Sequence, residues 1–225
     1  MASIDWLKDT FRDGYDSGDI LAVTPDPRRV HEEALIGGSY KECFQLAALP
    51  FLRPDSAVLE FGPGRGSWTK ALLAYVPEGR VETVDFLDVT SWLLPERYGG
   101  RLVCHQVESM DLDCVQDESF DFIWSFGVLV HLNSSQIAEV LSAARRKVRR
   151  GGVSVHNYGN WQKLYRTGRI MSHDPDLHLK DTADSWWPPN SPDAMAAIAL
   201  DAGWTVIQAD MELFERDGMI LLKAW

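Results

Sequence analysis

Apolar residues fall in short blocks along the chain, and the spacing inside the blocks switches between two periods. From Ala57 onward, strand-like runs at 57–61, 81–85, about 101–107, 120–125 and 153–156 alternate with helical spacing at about 67–75, 88–97 and from Asn133 onward. Phe120 to Ser125 is almost wholly apolar, as a strand buried on both faces must be. The helix after it opens with Asn133-Ser134-Ser135-Gln136, where Asn133 or a following serine is the N-cap. Ile137, Val140, Leu141 and Ala144 form its inner stripe, and Gly151-Gly152 is its predicted end. A helix at 191–202 precedes two final strands, Trp204–Ala209 and Met219–Ala224, close enough in the chain to pair antiparallel. Such alternation predicts an α/β fold with a doubly wound, mostly parallel sheet and right-handed crossovers.

The first residues read differently. Residues 3–13 carry Ile4, Trp6, Leu7 and Phe11 at helical spacing, and Val30 to Ala34 reads as a helical turn stopped by Gly37-Gly38. Ser39 and Glu42 form a capping-box pattern. The helix behind them places Cys43, Phe44, Leu46, Ala47 and Leu49 inward and is bounded by Pro50 and Pro54. Residues 157–190 break the alternation and are rich in aromatic residues, as a lid or binding loop would be.

Composition narrows the function classes. The chain has 225 residues, and 22 Lys+Arg against 33 Asp+Glu give a net charge of −11, so nucleic acid is not the expected partner. The basic cluster Arg145 to Arg150 falls at a helix end, where cations offset the dipole. Cys43, Cys104 and Cys114 are too scattered for a disulfide framework, so reduced thiols and a cytoplasmic location are expected. The N-terminus has no uninterrupted apolar stretch of signal-peptide type, and no membrane span is expected.

The chemistry concentrates at Val58-Leu59-Glu60-Phe61-Gly62-Pro63-Gly64-Arg65-Gly66-Ser67, a buried strand running into a glycine-rich turn and a helix start. A ligand over such a turn would meet backbone amides at a helix N-terminus. Glu60 lies at the end of this strand and Asp85 at the end of the next, where an acid can accept from both hydroxyls of a ribose.

This stretch resembles motif I of the class I S-adenosylmethionine-dependent methyltransferases, with its E-x-G-x-G-x-G pattern. Asp117-Glu118-Ser119-Phe120-Asp121 followed by apolar residues, Ser125 and Val128-Leu129-Val130-His131-Leu132 is similar to that family's sequence around its fourth strand. The resemblance covers 39–156 and, more loosely, the closing hairpin. It implies a seven-stranded Rossmann-like sheet of order 3-2-1-4-5-7-6. The first thirty residues and 157–190 lie outside it, and the chain as a whole is read as a single domain: an N-terminal helical cap (1–54), a cofactor-binding core (55–156), a substrate-side insertion (157–190) and a terminal helix and hairpin (191–225).

The resemblance further implies roles. Glu60 and the backbone at Phe61, Gly62 and Gly64 would hold the methionine end of S-adenosylmethionine. Asp85 would take the ribose, with Phe86 beside the adenine. Glu108, Ser109 and Met110 would border the adenine, and Ser125 and Phe126 would line the cofactor. The activated methyl then needs alignment and exclusion of water, and a base only where the acceptor must lose a proton. His131 is the candidate base, the alternative being that it orders its loop. His156, Asn157 and Tyr158 point toward the same mouth as substrate-lining or structural residues. Trp161, Trp186 and Trp187 are either an aromatic wall for the acceptor or pins for the insertion. His173, Asp174, Asp176 and His178 have ligating side chains but sit in an expected surface loop, so no metal is expected. The expected acceptor is a small molecule or sugar, methylated on oxygen or nitrogen. Two rivals are a non-catalytic nucleotide-binding module and an NAD-dependent oxidoreductase, whose fingerprint wants a glycine where Ser67 stands.

Overall fold

A computed structural model describes residues 3–168 and 190–225. Seven strands form one sheet in the order β3-β2-β1-β4-β5-β7-β6, as the resemblance implied. They are β1 (Ala57–Phe61), β2 (Arg80–Asp85), β3 (Leu102–Gln106), β4 (Phe120–Ser125), β5 (Val148–Gly159), β6 (Thr205–Gln208) and β7 (Asp217–Lys223). The pairings from β3 across to β5 are parallel, and β7 runs antiparallel to both β5 and β6. Every residue of β1 is buried, which is the expected cost-free place for the run Ala57-Val58-Leu59.

Two apolar cores lie on the two faces of the sheet. Leu59, Phe61, Ile123, Ile220 and Leu222 belong to one, and Val58, Phe122, Trp124, Met219 and Leu221 to the other. Phe120 and Phe122 are two residues apart yet belong to opposite cores, because the β4–β5 register shifts between them. The intervening Asp121 is held by the Ala57 amide at 2.9 Å and by Arg149 and Arg53 at 3.0 and 3.2 Å.

The helices are α1 (Ile4–Thr10), α2 (Pro27–Ile36), α3 (Tyr40–Cys43), α4 (Ser67–Tyr75), α5 (Thr90–Leu93), α6 (Ser134–Lys147), α7 (Trp161–Thr167) and α8 (Pro192–Asp201). The turn expected at Val30–Ala34 is the full helix α2, capped by Asp26 and closed by Gly37 in the left-handed region. The helix behind Ser39 changes pitch: α3 passes into a π stretch at Phe44–Ala48 and a tight turn at Leu49–Phe51, where Pro50 sits. Only half of the Ser39 box forms. Ser39 Oγ accepts from the Glu42 amide at 3.3 Å, while Glu33 takes the Tyr40 amide at 2.6 Å.

Gly151-Gly152 does not end α6. The helix stops at Lys147, Val148 is already extended, and both glycines lie inside β5. A Cβ on Gly152 would meet the Asp121 carbonyl at 2.9 Å, so the pair marks close strand approach rather than a cap. The helix-end reading of the basic cluster therefore holds for Arg145, Arg146 and Lys147, whereas Arg149 serves Asp121 from the strand. β5 also runs on to Gly159, into the stretch expected to be insertion. No helix among the described residues is long and apolar enough to cross a membrane.

Asn133 is the N-cap of α6 and forms a complete capping box with Gln136, at 3.0 and 3.1 Å. Asn133→Ala is expected to lower stability by about 1 kcal/mol in a urea titration, with an unchanged m-value. No loss would show that α6 is held by packing alone.

Candidate active site

β1 and β4 lie side by side, and the connections leaving their C-terminal ends part to opposite faces of the sheet, which opens a recess there. The glycine-rich turn is the recess's floor. Gly62, Gly64 and Gly66 all have positive φ (61°, 52° and 83°). A side chain on Gly62 would strike Val128 and one on Gly64 the Tyr15 carbonyl, so only glycine lets these segments meet. Few of the turn's amides remain open. Gly62 N–H donates to Val84 O at 2.9 Å, Arg65 N–H to Tyr15 O at 2.8 Å and Gly66 N–H to Pro63 O at 2.9 Å. Gly64 O accepts from the Trp92 indole at 2.7 Å. Ser67, at the position where a dinucleotide fingerprint wants glycine, instead uses its hydroxyl to hold the N-terminal segment, accepting from Ser17 N at 3.1 Å and donating to Asp16 at 3.1 Å.

Over this floor lies a cavity of about 300 Å³. Phe61, Gly62, Gly64, Asp85, Phe86, Ser109, Met110, Phe126 and His131 all line it, so nine of the sequence-derived residues meet in one place. Three others stand apart. Glu60 is 1% exposed and does not line the cavity; its carboxyl lies behind the turn and accepts from Thr69 Oγ1 of α4 at 2.6 Å. The Glu108 side chain is 85% exposed at the rim and pairs with Lys8 of α1 at 3.5 Å. Ser125 is fully buried and bonds His156 Nδ1 at 2.8 Å.

Burial controls the charges. Asp85, beside the cavity and bonded to the Leu87 amide at 2.9 Å, is pushed up to about 6 by desolvation. Glu60 is pushed up to about 8 by the same cause, against the Thr69 hydrogen bond and with the Asp85 charge adding to the rise. His156 goes the other way, down to about 3, because burial disfavours its cation. It sits between Ser125 and Ser154 Oγ, the latter at 2.6 Å, as a neutral structural ring. Tyr158 is structural too, donating to Ala209 O at 2.9 Å, while Asn157 lines the cavity. His131 is 9% exposed, and the Phe11 ring lies 4.9 Å from it.

The N-terminal segment supplies a wall that sequence reasoning did not assign. Leu7, Lys8, Phe11, Gly14, Tyr15 and Ser17 line the cavity. A polar group at the same cavity was also missed: Glu32 of α2, Tyr40 of α3, and Arg216 and Asp217 at the start of β7. Tyr15 donates its hydroxyl to Glu32. Arg216 donates to both Asp217 oxygens, at 2.6 and 2.9 Å, and Asn157 donates to Asp217 at 3.1 Å. α2 buries Arg29 and Glu32 beside Ile36 while Val30 and Leu35 are exposed, so hydrophobic spacing gave no signal for this face. Trp161 is buried but does not line the cavity. Trp186, Trp187, His173, Asp174, Asp176 and His178 lie outside the described residues, and among the described residues no group of three metal-ligating side chains occurs.

Known proteins share this fold. Residues 58–152 match a family model described as a methyltransferase domain. No curated protein matches the chain. The chain is similar in structure to an S-adenosylmethionine-dependent methyltransferase from Aquifex aeolicus, at 16% identity and TM-score 0.61, covering 88% of this chain and 97% of that one. An O-methyltransferase family protein from Burkholderia thailandensis is similar at 17% identity and TM-score 0.61, over 87% of this chain and 56% of that one. An O-methyltransferase of neocarzinostatin biosynthesis, solved with S-adenosylmethionine and 2-hydroxy-5-methyl naphthoic acid, is similar at 16% identity and TM-score 0.62, over 88% and 55%. The chain thus spans about half the length of the latter two.

Glu60 and Asp85 bind a proton more tightly folded than unfolded. Their contribution to stability is complete below the ordinary carboxylate range and is lost as pH rises through about 6 for Asp85 and about 8 for Glu60. Glu60→Gln keeps an acceptor for Thr69 and is expected to flatten the upper part of this decline. Its gain over wild type is expected to reach a few kcal/mol, on the order of 3, in urea titrations near pH 8. Parallel pH profiles for the two proteins would contradict the buried-acid assignment.

Proposed function

We propose that the chain is a class I S-adenosylmethionine-dependent methyltransferase that moves a methyl group to an oxygen or nitrogen of a small molecule. The observation that carries this reading is the joining, in one cavity, of the acid at the tip of β2, the glycine-rich turn and a polar compartment beyond them. The residues present fit the cofactor. Phe86, Val107, Met110, Leu112 and Val128 offer apolar walls for a flat base. Asp85 offers an acceptor for ribose hydroxyls at the tip of β2, and burial disfavours its charged form when no ligand covers it. Glu60, Ser125 and Glu108 enter the proposal as supports: the first two set the ends of β1 and β4 from below, and Glu108 ties α1 to the rim.

When bound, the cofactor supplies a methyl group already activated on a sulfonium. The chain's own work is therefore alignment and exclusion of water. Leu7 and Phe11 of the N-terminal segment cover the apolar side of the cavity, and the Tyr15 carbonyl locks the segment to Arg65. His131 is our candidate to accept the proton that an acceptor must lose. The similarity to O-methyltransferases in fold supports small-molecule acceptors. The three cysteines of the chain are free, and we place the enzyme in the reducing cytoplasm.

Calorimetry with S-adenosylhomocysteine is expected to show wild-type binding that Asp85→Ala weakens by about tenfold or more, the value of one good charge-assisted hydrogen bond. Undiminished affinity in that variant would remove Asp85 from the cofactor site. His131→Ala is expected to keep the product affinity and to lower kcat by about 10²-fold with labelled donor and a proton-bearing acceptor. Unchanged turnover would take His131 out of the mechanism.

A further inference from the structure

We propose that Trp92 is a positioning residue of the cofactor site. Its indole and the Tyr15 carbonyl clamp the Gly64–Arg65 peptide, which presets the glycine-rich turn for the amino-acid end of the cofactor. This rests on the methyltransferase reading above and adds a residue that lies outside both sequence motifs.

Gly64 is the soft point of the turn. Its φ of 52° suits glycine, and the approach of the Tyr15 carbonyl leaves no room for a side chain. The freedom that lets glycine take this shape also lets the neighbouring peptides rotate. Ordering them only when a ligand arrives would cost affinity. Here the peptide after Gly64 is held at both ends before any ligand binds. Its carbonyl accepts from Trp92 Nε1 at 2.7 Å, and its amide, the Arg65 N–H, donates to Tyr15 O at 2.8 Å. The peptide before Gly64 is held at its carbonyl, where Pro63 O accepts from the Gly66 amide at 2.9 Å. Its N–H, on Gly64, has no hydrogen-bond partner among the described residues, and Gly64 lines the cavity. The turn thus keeps one donor open on a peptide whose surroundings are fixed.

Trp92 is itself well supported. Val89 and Leu93 on either side of it are buried, and Asp88 accepts from the Thr90 amide at 3.0 Å at the start of α5. Trp92 lines the cavity. The Arg65 guanidinium lies over the Trp92 ring, 5.8 Å from its centre, and Arg65 Nε donates to Asp13 O at 2.8 Å. A Cβ on Gly14 would come within 3.1 Å of Arg65 and 3.3 Å of Trp92, so the N-terminal segment closes directly against both. An indole is a donor only, and a backbone carbonyl is its natural partner. Three separate parts of the chain therefore lock one peptide: 13–15, 64–65 and α5.

The test is calorimetry on the full chain with S-adenosylhomocysteine and with 5′-methylthioadenosine, which lacks the amino-acid end. Wild type is expected to bind S-adenosylhomocysteine about tenfold or more tighter than 5′-methylthioadenosine. Trp92→Phe keeps an aromatic ring and deletes the N–H. It is expected to weaken S-adenosylhomocysteine by about fivefold and to leave 5′-methylthioadenosine within about twofold. Arg65→Ala, at an exposed position, frees the ring from outside and is expected to have the same selective effect, about threefold. Trp204→Phe deletes another indole–carbonyl bond, to Leu141 O at 2.9 Å, from a residue that does not line the cavity. It is expected to lower the thermal midpoint and to leave both affinities within about twofold. Undiminished S-adenosylhomocysteine affinity in Trp92→Phe, equal losses for the two ligands, an equal loss in Trp204→Phe, or wild type binding the two ligands equally overturns the proposal. Should Trp92→Phe not fold, Arg65→Ala decides alone by the same criteria. Failure of wild type to bind either ligand overturns the methyltransferase reading itself.

Discussion

Everything in this molecule depends on how closely other segments approach the turn between β1 and α4. Val128, the Tyr15 carbonyl and Leu93 press on the places where side chains of Gly62, Gly64 and Gly66 would stand. A backbone that turns so sharply, with so little bulk, brings three remote parts of the chain to one point. The loop after β4 comes from one side, α5 from another and the N-terminal segment from above. The cavity is the space these contacts leave. Its lining therefore mixes residues from position 7 to position 217, although its floor is built from a few residues in a row.

The same closeness explains the electrostatics. Asp85 and Glu60 are both desolvated, and the charge on one raises the other, so ionising both in the closed recess is unfavourable. Polar groups elsewhere in the recess are hydrogen-bonded in place. Arg216 closes on Asp217, Tyr15 on Glu32, and His156 is held uncharged between two serines. Burial alone would pull the Arg216 guanidinium down, but the Asp217 carboxylate more than offsets this. What remains exposed to a ligand is a mostly apolar box with a small number of oriented oxygens, the usual make-up of a specific small-molecule site.

The sheet was legible because its physics is local. Alternation, a continuous apolar run at Phe120–Ser125 and a short connection before Met219 are enough to order seven strands once a family resemblance sets the topology. Asp85 and Phe126 could be placed at the cavity because they lie at strand ends, and His131 because it lies in the short turn between β4 and α6. The errors are of another kind. Gly151-Gly152 reads as a helix stop, yet its role is close contact with Asp121 across strands, which spacing does not show. Glu60 reads as a ligand group by its place in a motif, while its side chain alternates away from the cavity toward Thr69. Tyr15 and Glu32 come from a part of the chain without resemblance, Tyr40 from its very edge, and Arg216 and Asp217 from the far end. Only the folded sheet brings those residues beside Asn157.

A crystal structure of the chain grown with S-adenosylhomocysteine tests the central claim most directly. The account predicts the ribose hydroxyls on the Asp85 carboxylate, the adenine between Phe86 and Met110, and the homocysteine end over Gly62 and Gly64. A ligand bound elsewhere, or a cavity in which Asp85 makes no contact with it, would contradict the account.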